Sequence, residues 1–93
     1  PIQYGLAKSS LNHLTKELAV RFAKDGIRVN CIAFGGIDGR VDKNFKDRYS
    51  KLTPMGRMLK EEDILGPVDF LLSETSSSIT GEVLAADGGW TIW

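Results

Sequence analysis

Ile27-Arg28-Val29-Asn30-Cys31-Ile32-Ala33-Phe34, with Gly35-Gly36 directly after it, is the run on which the fold turns. It is compact, mostly apolar and rich in β-forming residues, so it reads as a strand. Both faces are largely apolar after Asn30, which suits a buried strand in a parallel sheet. Two glycines at the carboxyl end of such a strand let a loop backbone approach another group closely. In open α/β sheets that edge is where ligands sit. A plain turn would use the same two residues, and both readings stay open on the pair alone.

Ahead of this strand, residues 4 to 24 read as one amphipathic helix. Ala7, Leu11, Leu14, Leu18 and Phe22 recur at three- and four-residue steps and form one apolar stripe. Gly5, Ala7, Ser9 and Ser10 are small, so another backbone can come close there. Lys24-Asp25-Gly26 closes the helix, with Gly26 suited to the left-handed C′ position. Tyr4 and Lys8 stand four residues apart at its start, on one face and about 5–6 Å apart at Cβ. An ammonium that close favours the phenolate over the phenol. A free Tyr, with a pKa of about 10, exchanges protons poorly at neutral pH. Beside Lys8, Tyr4 fits a general acid/base, although an unrelated surface Tyr and Lys would share the spacing. His13 has no Asp, Cys or second His at ligand spacing, so it reads as a polar surface or interface residue, and no metal site is expected.

After the strand, residues 37 to 60 carry many charges and little periodicity. Asp42 to Leu52 has room for one or two helical turns, and the segment is a candidate lid or a solvated loop. Glu61 to Glu74 reads as a second helix, with Glu61, Glu62 and Asp63 in its first turn. Pro67 lacks an N–H and is expected to kink or delay it. Ser73 to Thr80 is a polar connection, Glu82 to Ala86 a second short strand, and Asp87-Gly88-Gly89 a turn. Trp90 and Trp93 follow, and two indoles are expected to pack on something. Strand, helix, strand makes a βαβ unit, so the class is α/β.

Among the 93 residues, 12 basic and 12 acidic side chains cancel. That balance argues against nucleic acid and an anionic membrane surface as partners. No apolar run is long enough to span a bilayer, and no signal peptide is evident at residue 1. Cys31 is the only cysteine, which excludes an internal disulfide and points to the cytoplasm.

The motifs together resemble one family. Tyr4-Gly5-Leu6-Ala7-Lys8, Gly26-Ile27-Arg28-Val29-Asn30-Cys31-Ile32-Ala33, Gly35-Gly36, Phe70-Leu71-Leu72-Ser73, Ile79-Thr80-Gly81 and Asp87-Gly88-Gly89 are similar to the C-terminal part of a short-chain dehydrogenase/reductase. They come in the family's order and cover nearly the whole chain. The resemblance implies that residues 1–93 are the C-terminal part of one Rossmann-type, doubly wound parallel-sheet domain that binds NAD or NADP. It implies an oxidoreductase interconverting a small-molecule carbonyl and an alcohol by hydride transfer, and a homo-oligomer. Tyr4 would be the catalytic acid/base, and Lys8 would assist it and bond the nicotinamide ribose. The backbone near Gly35, Gly36 and Ile37 would lie against the nicotinamide carboxamide, and residues 38 to 57 would be the substrate lid.

Two positions depart from the family's pattern. Phe34 stands where the family usually has Pro, and Gly39 where it often has a cofactor-contacting Thr. The family's N-terminal half, with its phosphate-binding glycine loop and its catalytic Ser and Asn, has no counterpart in these residues. The expectation is therefore an oxidoreductase whose site is only partly contained in residues 1–93. The alternative is a non-catalytic, oligomerising interaction module derived from the same family.

Overall fold

The computed structural model describes residues 1–92, so Trp93 lies outside the described residues. Five main elements follow in order: α1 (Ile2–Phe22), β1 (Cys31–Phe34), α2 (Lys43–Leu52), α3 (Glu61–Leu72) and β2 (Val83–Ala86). Short 3-10 turns lie at Ala23–Asp25, Glu74–Ser76 and Trp90–Ile92. β1 and β2 pair as a two-stranded sheet. Cys31 N–H donates to Glu82 C=O at 2.8 Å and Gly35 N–H to Ala86 C=O at 3.2 Å. Both strands advance together along that ladder, so the pairing is parallel, as the βαβ order requires. No helix among the described residues is long and apolar enough to cross a membrane.

The chain divides into two compact units, Pro1–Cys31 with Leu71–Leu84, and Ile32–Phe70 with Ala85–Trp93. In the first, Thr15, Ala19, Leu71 and Ser76 are buried. The buried face of α1 is thus offset from the expected stripe, and Leu11 and Leu14 remain about half exposed. Small residues decide this. A Cβ built on Gly81 would sit 3.4 Å from Ala19 Cβ, so the loop before β2 closes directly on α1. Thr15 satisfies its own buried hydroxyl by donating to Leu11 C=O at 2.9 Å.

The strand is shorter than expected. Ile27 to Asn30 lie outside the strand: Gly81 N–H donates to Val29 C=O at 2.7 Å, and the other long-range bonds there use side chains. Arg28 donates to the carbonyls of Leu71, Ser73 and Ile79, which caps the end of α3. Val29 N–H donates to Thr80 Oγ1, and Asn30 bridges Ile79 C=O and Glu82 N–H. β1 is also only partly buried, with Ala33 exposed.

Helix ends follow local chemistry. Gly26 has φ 74°, and its N–H and that of Ile27 reach Ala23 and Phe22 C=O, closing α1 as the sequence implied. Asp42 caps α2 by accepting from Phe45 N–H at 2.8 Å, so α2 runs ten residues rather than one or two turns. Asp63, in the first turn of α3, reaches back the other way and accepts from Lys60 N–H at 2.7 Å. α3 runs as one assigned helix with Pro67 inside it. The residue before that proline is Gly66, which has no Cβ to meet the ring.

Candidate active site

Tyr4 and Lys8 lie in the first turns of α1, within the first unit. The i, i+4 spacing brings them together: Lys8 Nζ stands 5.4 Å from the centroid of the Tyr4 ring, over its face. That is within cation–π range. Tyr4 is 64% exposed, so its hydroxyl is open to a reactant.

Gly35, Gly36 and Ile37 lie in the second unit, directly after β1. The two glycines answer close approaches inside the protein. A Cβ on Gly35 would fall 2.9 Å from Asp87 Cα, and one on Gly36 would fall 2.7 Å from Tyr49 Cζ. Ile37 forms an isolated parallel bridge with Leu59. The bonds of that bridge use its neighbours: Leu59 N–H donates to Gly36 C=O at 2.8 Å, and Asp38 N–H to Leu59 C=O at 2.9 Å. In a parallel bridge the bridged residue's own groups face the other way. Ile37 N–H and C=O therefore have no partner among the described residues. One donor and one acceptor on a single residue match the NH₂ and C=O of a primary carboxamide.

Several residues that hold this loop were missed in the sequence. Tyr49 Oη accepts from Gly36 N–H at 2.6 Å. Its ring stacks on Trp90 at 4.4 Å between centroids and 7° between planes, which gives one of the two expected indoles a partner. Lys46 pairs with Asp38 at 2.7 Å. The available signal was Phe45-x-x-x-Tyr49, two aromatics on one helix face. Arg57 grips Asp63 with two contacts, and the guanidinium holds the Asp63 carboxyl well below the usual carboxylate range. The hydroxyl and backbone N–H groups at Thr91 and Gly89 likewise lower the pKa of Asp87.

A cavity of about 330 Å³ opens beside the Asp87-Gly88-Gly89 turn, walled in part by Met55, Leu59 and Ala86. The Arg57, Asp63 and Asp87 side chains at its rim are already partnered, so it offers mainly apolar shape. His13 is exposed and sits 3.3 Å from Glu17, and no cluster of metal-ligating side chains exists among the described residues.

A family model described as enoyl-(acyl carrier protein) reductase matches residues 2–91. A solved short-chain dehydrogenase from Leptospira borgpetersenii, with bound NAD+, superposes with a TM-score of 0.90 at 44% identity, over 95% of this chain and 35% of that one. The chain belongs to the short-chain dehydrogenase/reductase family. Relatives of this short-chain dehydrogenase/reductase chain include an uncharacterized oxidoreductase of Bacillus subtilis, 37% identical over 96% of this chain and 38% of the relative. A 4-hydroxyisoleucine dehydrogenase complexed with NADH and succinate superposes with a TM-score of 0.88 at 31% identity, over 97% of this chain and 38% of that one. The chain thus spans little more than a third of the length of the proteins it matches.

Proposed function

We propose that residues 1–93 serve as the C-terminal part of a Rossmann-type, NAD(P)-dependent oxidoreductase that interconverts a small-molecule carbonyl and an alcohol. The observation that carries this reading is the free donor–acceptor edge of Ile37, which suits the nicotinamide carboxamide. NAD(P) supplies the hydride or accepts it. Tyr4 donates a proton to the carbonyl oxygen in reduction and removes it from the hydroxyl in oxidation. Lys8, the cation over its ring, is the group that would bond the nicotinamide ribose. Gly35 and Gly36 shape the loop that carries Ile37. The 38 to 57 segment, with α2, acts as the substrate lid. A cytoplasmic setting accords with a single free thiol, Cys31.

The test is cofactor binding and turnover. Full-length protein should bind NADH or NADPH and reduce members of a carbonyl panel. The 93-residue chain alone should not turn over, because it brings no glycine turn for the dinucleotide phosphates. Full-length protein that binds neither cofactor would overturn the reading.

A second reading has one observation in its favour. Ile2, Leu6, Leu11, Leu14 and Val20 of α1 are all exposed. An interaction module that self-associates through α1 would use that surface without any chemistry, and a homo-oligomeric enzyme would use it as well.

A further inference from the structure

We infer that Tyr49 is a positioning residue: its hydroxyl ties the α2 lid to the Gly36–Asp38 loop and so sets the edge of Ile37 for the cofactor. The inference rests on the reading of Ile37 given above. It starts from how the loop is held. Of its three consecutive N–H groups, that of Asp38 is taken by Leu59 C=O and that of Gly36 by Tyr49 Oη, while that of Ile37 is free among the described residues. Leu59 is buried and fixes one side of the loop. Two further contacts come from α2. Lys46 and Tyr49, three residues apart on one helical face, reach Asp38 at 2.7 Å and Gly36 at 2.6 Å. These two contacts flank Ile37.

The two differ in firmness. Lys46 and Asp38 are both more than a third exposed, so solvent screens their attraction. Tyr49 is half-buried, and its ring lies between the stack on Trp90 at 4.4 Å and a looser contact with Phe45 at 6.0 Å. The stack limits how far the ring can swing, so the phenol oxygen is a firmer anchor for the Gly36 N–H than Lys46 is for Asp38. Gly36 completes the fit, because only a residue without Cβ lets its N–H come to the phenol oxygen past Tyr49 Cζ. A shift of α2 is therefore felt at the Ile37 edge chiefly through the short Gly36–Tyr49 hydrogen bond. Lid position and cofactor affinity are coupled in this arrangement, while the proton chemistry of Tyr4 needs nothing from Tyr49.

Tyr49→Phe isolates the bond, since it keeps the ring and the stack and removes only the acceptor. In the full-length protein without cofactor, amide hydrogen exchange at Gly36 should quicken about tenfold. The Kd for NADH or NADPH, read by fluorescence titration, should rise about three- to tenfold, the range for loss of one net hydrogen bond. kcat at saturating cofactor should stay within about twofold. Trp90→Leu, which removes the stack instead, should quicken Gly36 exchange in the same direction and guards against a folding defect peculiar to one variant. If wild type binds cofactor and Tyr49→Phe changes neither exchange nor Kd, the positioning role is overturned. If wild type binds neither NADH nor NADPH, the Ile37 reading fails, and the positioning role falls with it. A fall in kcat with Kd unchanged would also overturn it, because it would place Tyr49 in the chemistry.

Discussion

Arg57 and Asp63 meet through two contacts, Nη1 to Oδ2 at 2.6 Å and Nη2 to Oδ1 at 3.0 Å, and Oδ2 also accepts from Lys60 N–H. One carboxylate thus caps α3 and binds the segment ahead of it. The Asp63 carboxyl is held well below its usual range, first by the Arg57 hydrogen bonds and then by the Lys60 N–H. A carboxyl whose folded pKa is depressed adds stability above its unfolded pKa and loses it as pH falls through the folded value. Asp63→Asn should therefore lower Tm at pH 7. The gap to wild type should shrink as pH drops below about 4, near the ordinary carboxylate pKa. Thermal melts of both proteins from pH 7 to pH 2 check this, and a gap independent of pH would refute it.

The glycines after β1 give a ranked set. Gly35→Ala drives a methyl against Asp87 Cα at 2.9 Å, a backbone atom with no freedom to yield. Gly36→Ala drives one against the Tyr49 ring at 2.7 Å, which can move only by leaving Trp90 and the Gly36 N–H. Each should cost about 1–3 kcal/mol, the usual range for overpacking. Gly5→Ala, inside α1 with nothing within 4 Å of the added methyl, should stabilise by about 0.5–1 kcal/mol. Urea denaturation of the three variants reads the order directly.

How much of this was legible in the sequence depended on range. The order of elements, the α1 cap at Gly26 and the Tyr4–Lys8 pairing follow from local periodicity and turn chemistry, and the structure has them. What failed depends on partners distant in sequence. Ile27 to Asn30 look like strand, but Arg28 and Asn30 bond to carbonyls and an N–H some 43 to 52 residues away. The α1 stripe looked continuous, but the partner surface near Gly81 selects Thr15 and Ala19. In the candidate site, Gly35 and Gly36 were legible as close-approach positions, yet what approaches them is Asp87 and Tyr49. No spacing rule links Gly36 to Tyr49.

The exposed side chains of α1 predict association. Leu11 and Leu14 lie on one face about half exposed, and burying a leucine contributes about 1.5–3 kcal/mol. The protein should sediment as a dimer or larger species at micromolar concentration. Leu11→Glu with Leu14→Glu should shift it towards monomer by at least about tenfold in dissociation constant. A wild type that stays monomeric across the dilution series would contradict both the oligomeric enzyme and the interaction module.

Tyr4 is the proposed carrier of the proton in a hydride-transfer reaction. The most direct test of that role is steady-state kinetics of full-length Tyr4→Phe, on whichever carbonyl the wild type reduces, with cofactor Kd measured in parallel. kcat should fall by about 10²- to 10⁴-fold with cofactor Kd nearly unchanged, since the variant loses a transferable proton and keeps the ring under Lys8. Retention of kcat within about twofold would show that the proton comes from elsewhere and would contradict the role of Tyr4.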